Sequence, residues 1–237
     1  MRLFLNVPYS DKDEVKSLDA KWDPIIKKWY VEYPQDKYIK FSKWILKDSD
    51  EAIIAHEYLH IIEGHHQCWK CKKQTKIVGL GIGEFTRIYN TDNGTKYDYF
   101  ESMIDSGEEI HLAWVDNQNF IPPKILKYLK LNYSLKNTSL NSFANCCVHC
   151  NAIQGNWFLF DEPSSPLSSC SSDSILKQRM KKLTIYSIPI EDDLQVDWNI
   201  QLCSNDFAYL KYGTNKELIL SSDPNNDYIS YQELYEI

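Results

Sequence analysis

Residues 55–71, AHEYLHIIEGHHQCWKC, carry two zinc patterns that demand different proteins. His56-Glu57-Tyr58-Leu59-His60 spells H-E-x-x-H, in which two imidazoles four residues apart share one helical face with a glutamate base beside the first. Cys68-Trp69-Lys70-Cys71 spells C-x-x-C, a tight turn that aims two thiolates at one point. The first pattern needs a helix and makes a hydrolase. The second makes half of a structural metal site. The flanks favour a helix over residues 48–63. Asp48 with Glu51 forms a capping box, and Gly64 stands where a C-terminal cap belongs. On a helical wheel Ile54, Tyr58, Ile61 and Ile62 gather on one side, with His56, His60 and Glu63 opposite.

The other cysteines decide between the two patterns. The chain has seven, Cys68, Cys71, Cys146, Cys147, Cys150, Cys170 and Cys203, and five of them fall in two clusters. Cys147 and Cys150 form a second C-x-x-C, so two knuckles supply four thiolates for one tetrahedral zinc, the zinc-ribbon arrangement. Cys146 is one residue too far from Cys150 for the usual knuckle. Residues 72–146 must then form a structured excursion whose ends return together. The competing reading is two unrelated clips completed by His65, His66 or His149. A redox C-x-x-C lacks its βαβ context. For a peptidase, His66 has the metzincin spacing, but Glu63 stands where that pattern needs glycine, and nothing marks Glu84 as a third ligand. The expectation is therefore one structural zinc on Cys68, Cys71, Cys147 and Cys150. His56 and His60 would lie on a solvated helix face, with Glu57 a catalytic base only in the peptidase alternative.

Composition bounds the setting. The 237 residues are 43% hydrophobic and 14% aromatic, enough for a real core. No apolar run reaches the length of a membrane span, and the N-terminus turns acidic too early for a signal peptide, so a cytoplasmic location is expected. Net charge is −7 but uneven: residues 1–47 hold 10 bases against 7 acids, residues 48–150 hold 10 against 13, and residues 151–237 hold 6 against 13. An acidic surface repels phosphate backbones, which leaves the N-terminal segment as the local exception.

Along the chain, residues 1–47 read as a small βαβ-type module: a strand at Leu3, Leu5 and Val7, a short helix in DKDEVKSLDAK, a β-run KKWYVEY and a helical FSKWIL. So short a unit needs support from the remaining chain. Residues 48–163 form the zinc-ribbon domain, with strands at KIVGLGIGEFTRIYN and EIHLAWV, a turn at DNQN, a helix at PPKILKYLKL and an aromatic strand-like run ending in WFLF. Gly79, Gly81 and Gly83 mark close backbone neighbours and match no phosphate-binding fingerprint. Residues 164–174, with seven serines in eleven positions, read as a flexible loop before a β-rich C-terminal region, 175–237. The expected fold class is α+β.

Two stretches resemble known families. LFLNVPYSDKDEVKSLDAKWDPIIKKWYV, residues 3–31, is similar to a short domain of unknown function in bacterial and plasmid proteins, with Asp19 where glycine is usual. That family recurs beside conjugation-associated primase and other DNA-processing modules. ANCCVHCNAIQGNWFLF, residues 144–160, resembles the distal knuckle of uncharacterised bacterial zinc-ribbon proteins, with Asn151 and Asn156 replacing a glycine and an aspartate. The resemblances imply a zinc-ribbon protein in a mobile-element setting and supply no catalytic residues.

Three functions follow as expectations. The first is a non-enzymatic zinc adaptor binding protein or single-stranded nucleic acid, where Trp22, Trp29 and Tyr30 stack bases and Lys12, Lys16, Lys21, Lys27 and Lys28 meet phosphates. The alternatives are a zinc peptidase built on His56, Glu57 and His60, and a plasmid- or phage-borne factor docking through its acidic C-terminal region. No membrane partner and no small-molecule cofactor are expected.

Overall fold

The computed structural model describes residues 1–32, 34–47, 49–100, 109–115, 118–137, 143–162, 164–170, 175–196 and 198–237. In chain order the first unit is β1 (Arg2–Leu5), α1 (Lys12–Ser17), β2 (Lys21–Asp23), β3 (Lys28–Glu32) and α2 (Ser42–Ile45). There follow β4 (Glu51–Ala55), β5 (Tyr58–Gln67), β6 (Gln74–Ile82), β7 (Phe85–Thr91), β8 (Gly94–Phe100), β9 (His111–Trp114), α3 (Pro123–Asn132), β10 (Leu135–Asn137) and β11 (Phe143–Asn145). The chain closes with α4 (Leu176–Met180), β12 (Thr184–Pro189), β13 (Leu194–Val196), β14 (Asn199–Ile200), α5 (Ala208–Tyr212), β15 (Thr214–Glu217) and α6 (Tyr231–Tyr235). Mixed helices and several sheets make the class α+β.

Four layers stack. In the N-terminal sheet, order β1-β3-β2, β3 is antiparallel to both neighbours, so β1 and β2 run the same way and are joined through α1, a βαβ-type unit with β3 inserted between its two strands. Its core residues Leu3, Val15, Tyr38 and Trp44 pack on Ala52, Ile54 and Ile88 of the second layer, the sheet β13-β4-β7-β8. The other face of that sheet, through Ile53, Ala55 and Phe85, packs on Leu59, Ile61, Leu80 and Ile82 of the third layer, together with α3 and α6. The third layer is a six-stranded sheet, β14-β9-β6-β5-β12-β15. Its far face, with Ile62, Ile77 and Ile185, is closed by residues 157–167, α4 and α5.

This layering explains the main correction. Residues 49–63 are no helix: β4 and the first part of β5 run through them, joined by a corner at His56 and Glu57. Both strands bury both faces, so their apolar residues run in pairs, Ile53-Ile54 and Ile61-Ile62, and mimic helical spacing. The β-branched isoleucines favour the pleated sheet. Asp48 lies outside the described residues. Gly64, expected as a helix cap, sits inside β5, where a Cβ would stand 2.9 Å from the Leu183 side chain. Gly81 meets Ile110 at 2.7 Å in the same way, which is the close approach the β6 glycines suggested.

Three smaller readings also differ. The run WFLF is a turn of π-helix, Trp157–Asp161, which tucks Leu159 and Phe160 under the large sheet. Residues 165 and 167–169 of the serine-rich segment are buried, whereas 171–174 lie outside the described residues. Region 175–237 is woven into both large sheets: β12 pairs β5 antiparallel and β13 pairs β4. The DNQN turn falls partly outside the described residues. The helix at α3 begins with Pro123 at its first position, as its sequence implied.

Candidate metal centre and N-terminal groove

Two turns of matching geometry bring four cysteines together. The first caps the β5–β6 hairpin just beyond the Gln67/Gln74 pair. There Lys72 N–H donates to Cys68 O and Cys68 N–H donates to Lys73 O, both at 2.9 Å. The second follows β11, where Asn151 N–H donates to Cys147 O at 2.8 Å and Cys147 N–H to Ala152 O at 2.9 Å. In each turn the residue four after the first cysteine is left-handed, Lys72 at φ 61° and Asn151 at φ 60°. Asparagine tolerates that region better than most residues, and glycine better still. Asn151 therefore stands where glycine would be easiest.

The excursion over residues 72–146 returns its ends as expected. Asn145 anchors the return, accepting from Val78 N–H at 2.8 Å and donating to Val78 O at 2.9 Å. Cys68 Sγ lies 3.6 Å from Cys150 Sγ, Cys71 Sγ lies 3.6 Å from Cys147 Sγ, and all four sulfurs fall within 4.8 Å of one another. A tetrahedral zinc with Zn–S bonds of about 2.3 Å needs sulfurs about 3.8 Å apart, so the cluster fits a four-thiolate metal ion. Among the described residues this is the only such group.

The electrostatics fit as well. Burial raises the Cys68 thiol, but N–H donors from Cys71 and Lys70 and the Gln154 amide outweigh it and hold it near 6. Gln154 Nε2 sits 3.4 Å from Cys68 Sγ, and its main chain is fixed by donating to Asn145 O. Cys147 is lowered because N–H groups of Cys150 and His149 overcome its burial. Cys150 receives Ala152 N–H, yet burial and the neighbouring thiols push it up to about 11. Four thiols crowded together share protons until a cation replaces them. Cys146 faces away, with Sγ 3.7 Å from Ala144 O, and burial raises it. His149 Nε2 contacts Gln74 O at 3.0 Å and takes no place in the cluster.

The histidine pattern dissolves. His56 is fully buried at the corner between sheets, Nδ1 at 2.7 Å from Asp193 Oδ1 and Nε2 at 2.8 Å from Thr86 Oγ1. Both ring nitrogens are thus committed to protein partners. Glu57 occupies the corner at φ 55°. His60 lies along β5, where residues four apart are separated by about 13 Å. It contacts Ser187 Oγ at 3.1 Å through Nδ1. The expected solvated face and the alternative metal pair are both corrected by the same cause, a two-sided buried strand.

His60 carries a pH signature. Burial, with a smaller contribution from His111, lowers it from 6.5 to about 3. Below pH 6.5 the unfolded chain binds a proton that the native chain refuses until about pH 3. Stability contributed by neutral His60 is therefore present above 6.5 and lost as pH falls, by up to roughly 1.4 kcal/mol per pH unit. Denaturant titrations at pH 7 and pH 5 should show a clear loss in the wild type and a smaller loss in His60→Gln. Equal losses would show that another group dominates.

The N-terminal module forms a groove of about 590 Å³. Trp22, Lys27, Lys28 and Trp29 line it, with Tyr9, Lys12 and Lys47 and, among the described residues, no acidic side chain. The two indoles meet edge-on at 5.6 Å, and Trp22 is half exposed. The β2–β3 turn that presents Lys27 is held by Asp23, whose Oδ1 accepts from Ile25 and Ile26 N–H, and Lys27 itself is left-handed at φ 58°. Lys28 donates to Asn6 Oδ1, and burial lowers it from the ordinary lysine value. Tyr30 falls elsewhere, its ring 5.8 Å from Phe4 and 5.7 Å from Arg2. Lys21 is paired with Glu32 at 2.6 Å, and Lys16 does not line the groove.

Sequence reading gave no role to Cys170 and Cys203, which pair as a disulfide with Cα atoms 4.9 Å apart. Nothing in their spacing of 33 residues signals it. No helix among the described residues is long and apolar enough to cross a membrane.

The fold and site together define an α+β protein with a four-cysteine cluster suited to a metal ion. Residues 2–45 match a domain of unknown function, DUF5710. The chain is also similar in part to two DNA primase TraC proteins of Escherichia coli. One is 43% identical over 54 residues, covering 23% of this chain and 5% of the relative. The other is 49% identical over 43 residues, covering 18% and 3%. The likeness thus spans a small fraction of those relatives' length. No solved structure matches the chain.

Proposed function

We propose that this chain is a non-enzymatic, zinc-dependent binding protein that engages single-stranded nucleic acid through its N-terminal groove. The observation that carries this reading is the groove itself: two tryptophans and four lysines without an acid among the described residues, in a chain similar in part to two DNA primases. Aromatic faces stack bases while lysines neutralise phosphates, and neither contact depends on sequence. Zinc is the metal that suits four thiolates in a closed tetrahedron, and it leaves no open position for water. Its part here is to tie the second knuckle to the β5–β6 hairpin. Recognition then rests on side chains.

The test is binding of a labelled single strand to the full chain at two salt concentrations. Lys27→Ala/Lys28→Ala should weaken binding at low salt and flatten the salt slope by roughly 0.7 for each lost phosphate contact. Affinity that is unchanged by the double variant would overturn the reading.

A further inference from the structure

The charge of this chain is acidic overall, yet two segments a hundred residues apart are free of acids, and the groove beside the cysteine knuckles draws Arg179 and Lys182 from the second, while Lys76 of the first pairs with Glu63 at 3.0 Å. Residues 64–83 contain Lys70, Lys72, Lys73 and Lys76 and no acid. Residues 175–190 contain Lys177, Arg179, Lys181 and Lys182 and again no acid. Counts over long stretches hide both, because each is diluted by acidic sequence around it. The hairpin tip and α4 meet across a groove of about 780 Å³.

The lining combines cations with flat apolar surface. Trp69 and Phe158 are 59% and 55% exposed, and both face this groove with Ile153. Trp69 is not loose: its Nε1–H donates to Ile153 O at 2.8 Å, which ties the first knuckle to the second and fixes the ring. Arg179 and Lys182 line it together with His65 and His66, against a single acid among the described residues, Glu162. Arg179 is braced by donating to Ser168 O at 3.3 Å. Exposed rings beside fixed cations are the pairing that binds bases and phosphates together. An acidic peptide would use the cations and leave two solvated aromatic faces unexplained.

We propose that this groove is a second binding site for single-stranded nucleic acid, with Trp69 and Phe158 as stacking faces and Arg179 and Lys182 as phosphate contacts. The inference extends the nucleic-acid reading above to a surface that shares no residue with the N-terminal groove. The hairpin tip lies nine residues along β5 from the corner that holds the N-terminal module, about 30 Å at strand spacing. Variants at one groove therefore leave the other intact.

The experiment is fluorescence anisotropy of a labelled single-stranded deoxyoligonucleotide about 30 nucleotides long, roughly twice the upper site size of one binding fold, so that one strand occupies both grooves and loss of either weakens it. The metal-loaded full chain is compared with Phe158→Ala, Lys182→Glu and Lys27→Ala/Lys28→Ala. Phe158 and Lys182 are both exposed, so these variants keep the fold. Each should weaken binding roughly tenfold, Phe158→Ala at all salt concentrations and Lys182→Glu mostly at low salt. If Phe158→Ala leaves affinity unchanged, the second site is overturned. It is equally overturned if a glutamate-rich peptide displaces the oligonucleotide better than the unlabelled strand does, since the groove would then take acidic peptide. An effect at Phe158 and Lys182 without one at Lys27 and Lys28 would retain this site and reject the N-terminal one.

Discussion

Cys147→Ser is expected to release the metal and cost the chain more than about 4 kcal/mol, the range of losses that follows removal of a metal or a core side chain. Small peptides that fold only on zinc gain about 10–16 kcal/mol apparent free energy from it. This chain has a layered core of its own, so only part of that is at stake. The segment at risk is specific. Residues 143–155 are held to the large sheet by Asn145 against Val78, by Thr75 Oγ1 accepting from Val148 N–H at 3.0 Å, and by the cysteine cluster. With the cluster gone, amide exchange in 143–155 and at the 67–74 hairpin tip should rise sharply. The N-terminal module, whose core is separate, should keep its protection. Cys146→Ser is the control, because that thiol points at Ala144 O and should leave the metal in place. Thermal unfolding and exchange measured on both variants check this; an unchanged melting temperature for Cys147→Ser would refute it.

Asp193→Ala should be the second severe variant, destabilising by about 3–5 kcal/mol. The Asp193 carboxylate is fully buried, pairs with His56 Nδ1 and accepts from the Tyr38 hydroxyl, while His56 reaches on to Thr86. One side chain thus fastens the N-terminal module, the corner of β4–β5 and β7. Its backbone N–H also donates to Arg2 O at 2.9 Å. Truncation leaves the imidazole and the phenol without this acceptor in a place water does not reach, which is where polar loss is most expensive. Arg2→Ala makes the contrast: the guanidinium is only one-third exposed, but the buried Asp192 carboxylate it leaves behind still accepts from Tyr231 N–H at 3.3 Å, so the loss should be smaller than for Asp193→Ala. Equal effects from the two variants, measured by denaturant unfolding, would mean the buried network is not the fastening.

The local readings that survived share one property: a single short segment determined them. The knuckles were legible because C-x-x-C needs only its own turn, and the β6 glycines because each empty Cβ position is filled by a neighbour. Trp22, Lys27, Lys28 and Trp29 come to line one groove because their run lies on one hairpin. Tyr30 does not line that groove, because alternation along β3 and packing on Phe4 turn it to the other face. The helix over 48–63 failed for a deeper reason. A strand buried on both faces loses the period of two, and Ile53-Ile54 and Ile61-Ile62 then satisfy a helical wheel by accident. Capping residues agreed with the accident. The His56–Asp193 network and the second basic groove join residues more than a hundred positions apart, and no local pattern announces either.

The most direct test of the four-cysteine metal centre is elemental analysis of the purified full chain, its Cys147→Ser variant and its His56→Ala/His60→Ala variant. The account predicts one zinc per chain in the wild type, none with Cys147→Ser, and full occupancy in whatever part of the histidine variant remains folded. Zinc that persists without Cys147, or a second zinc that leaves with the histidines, would contradict it.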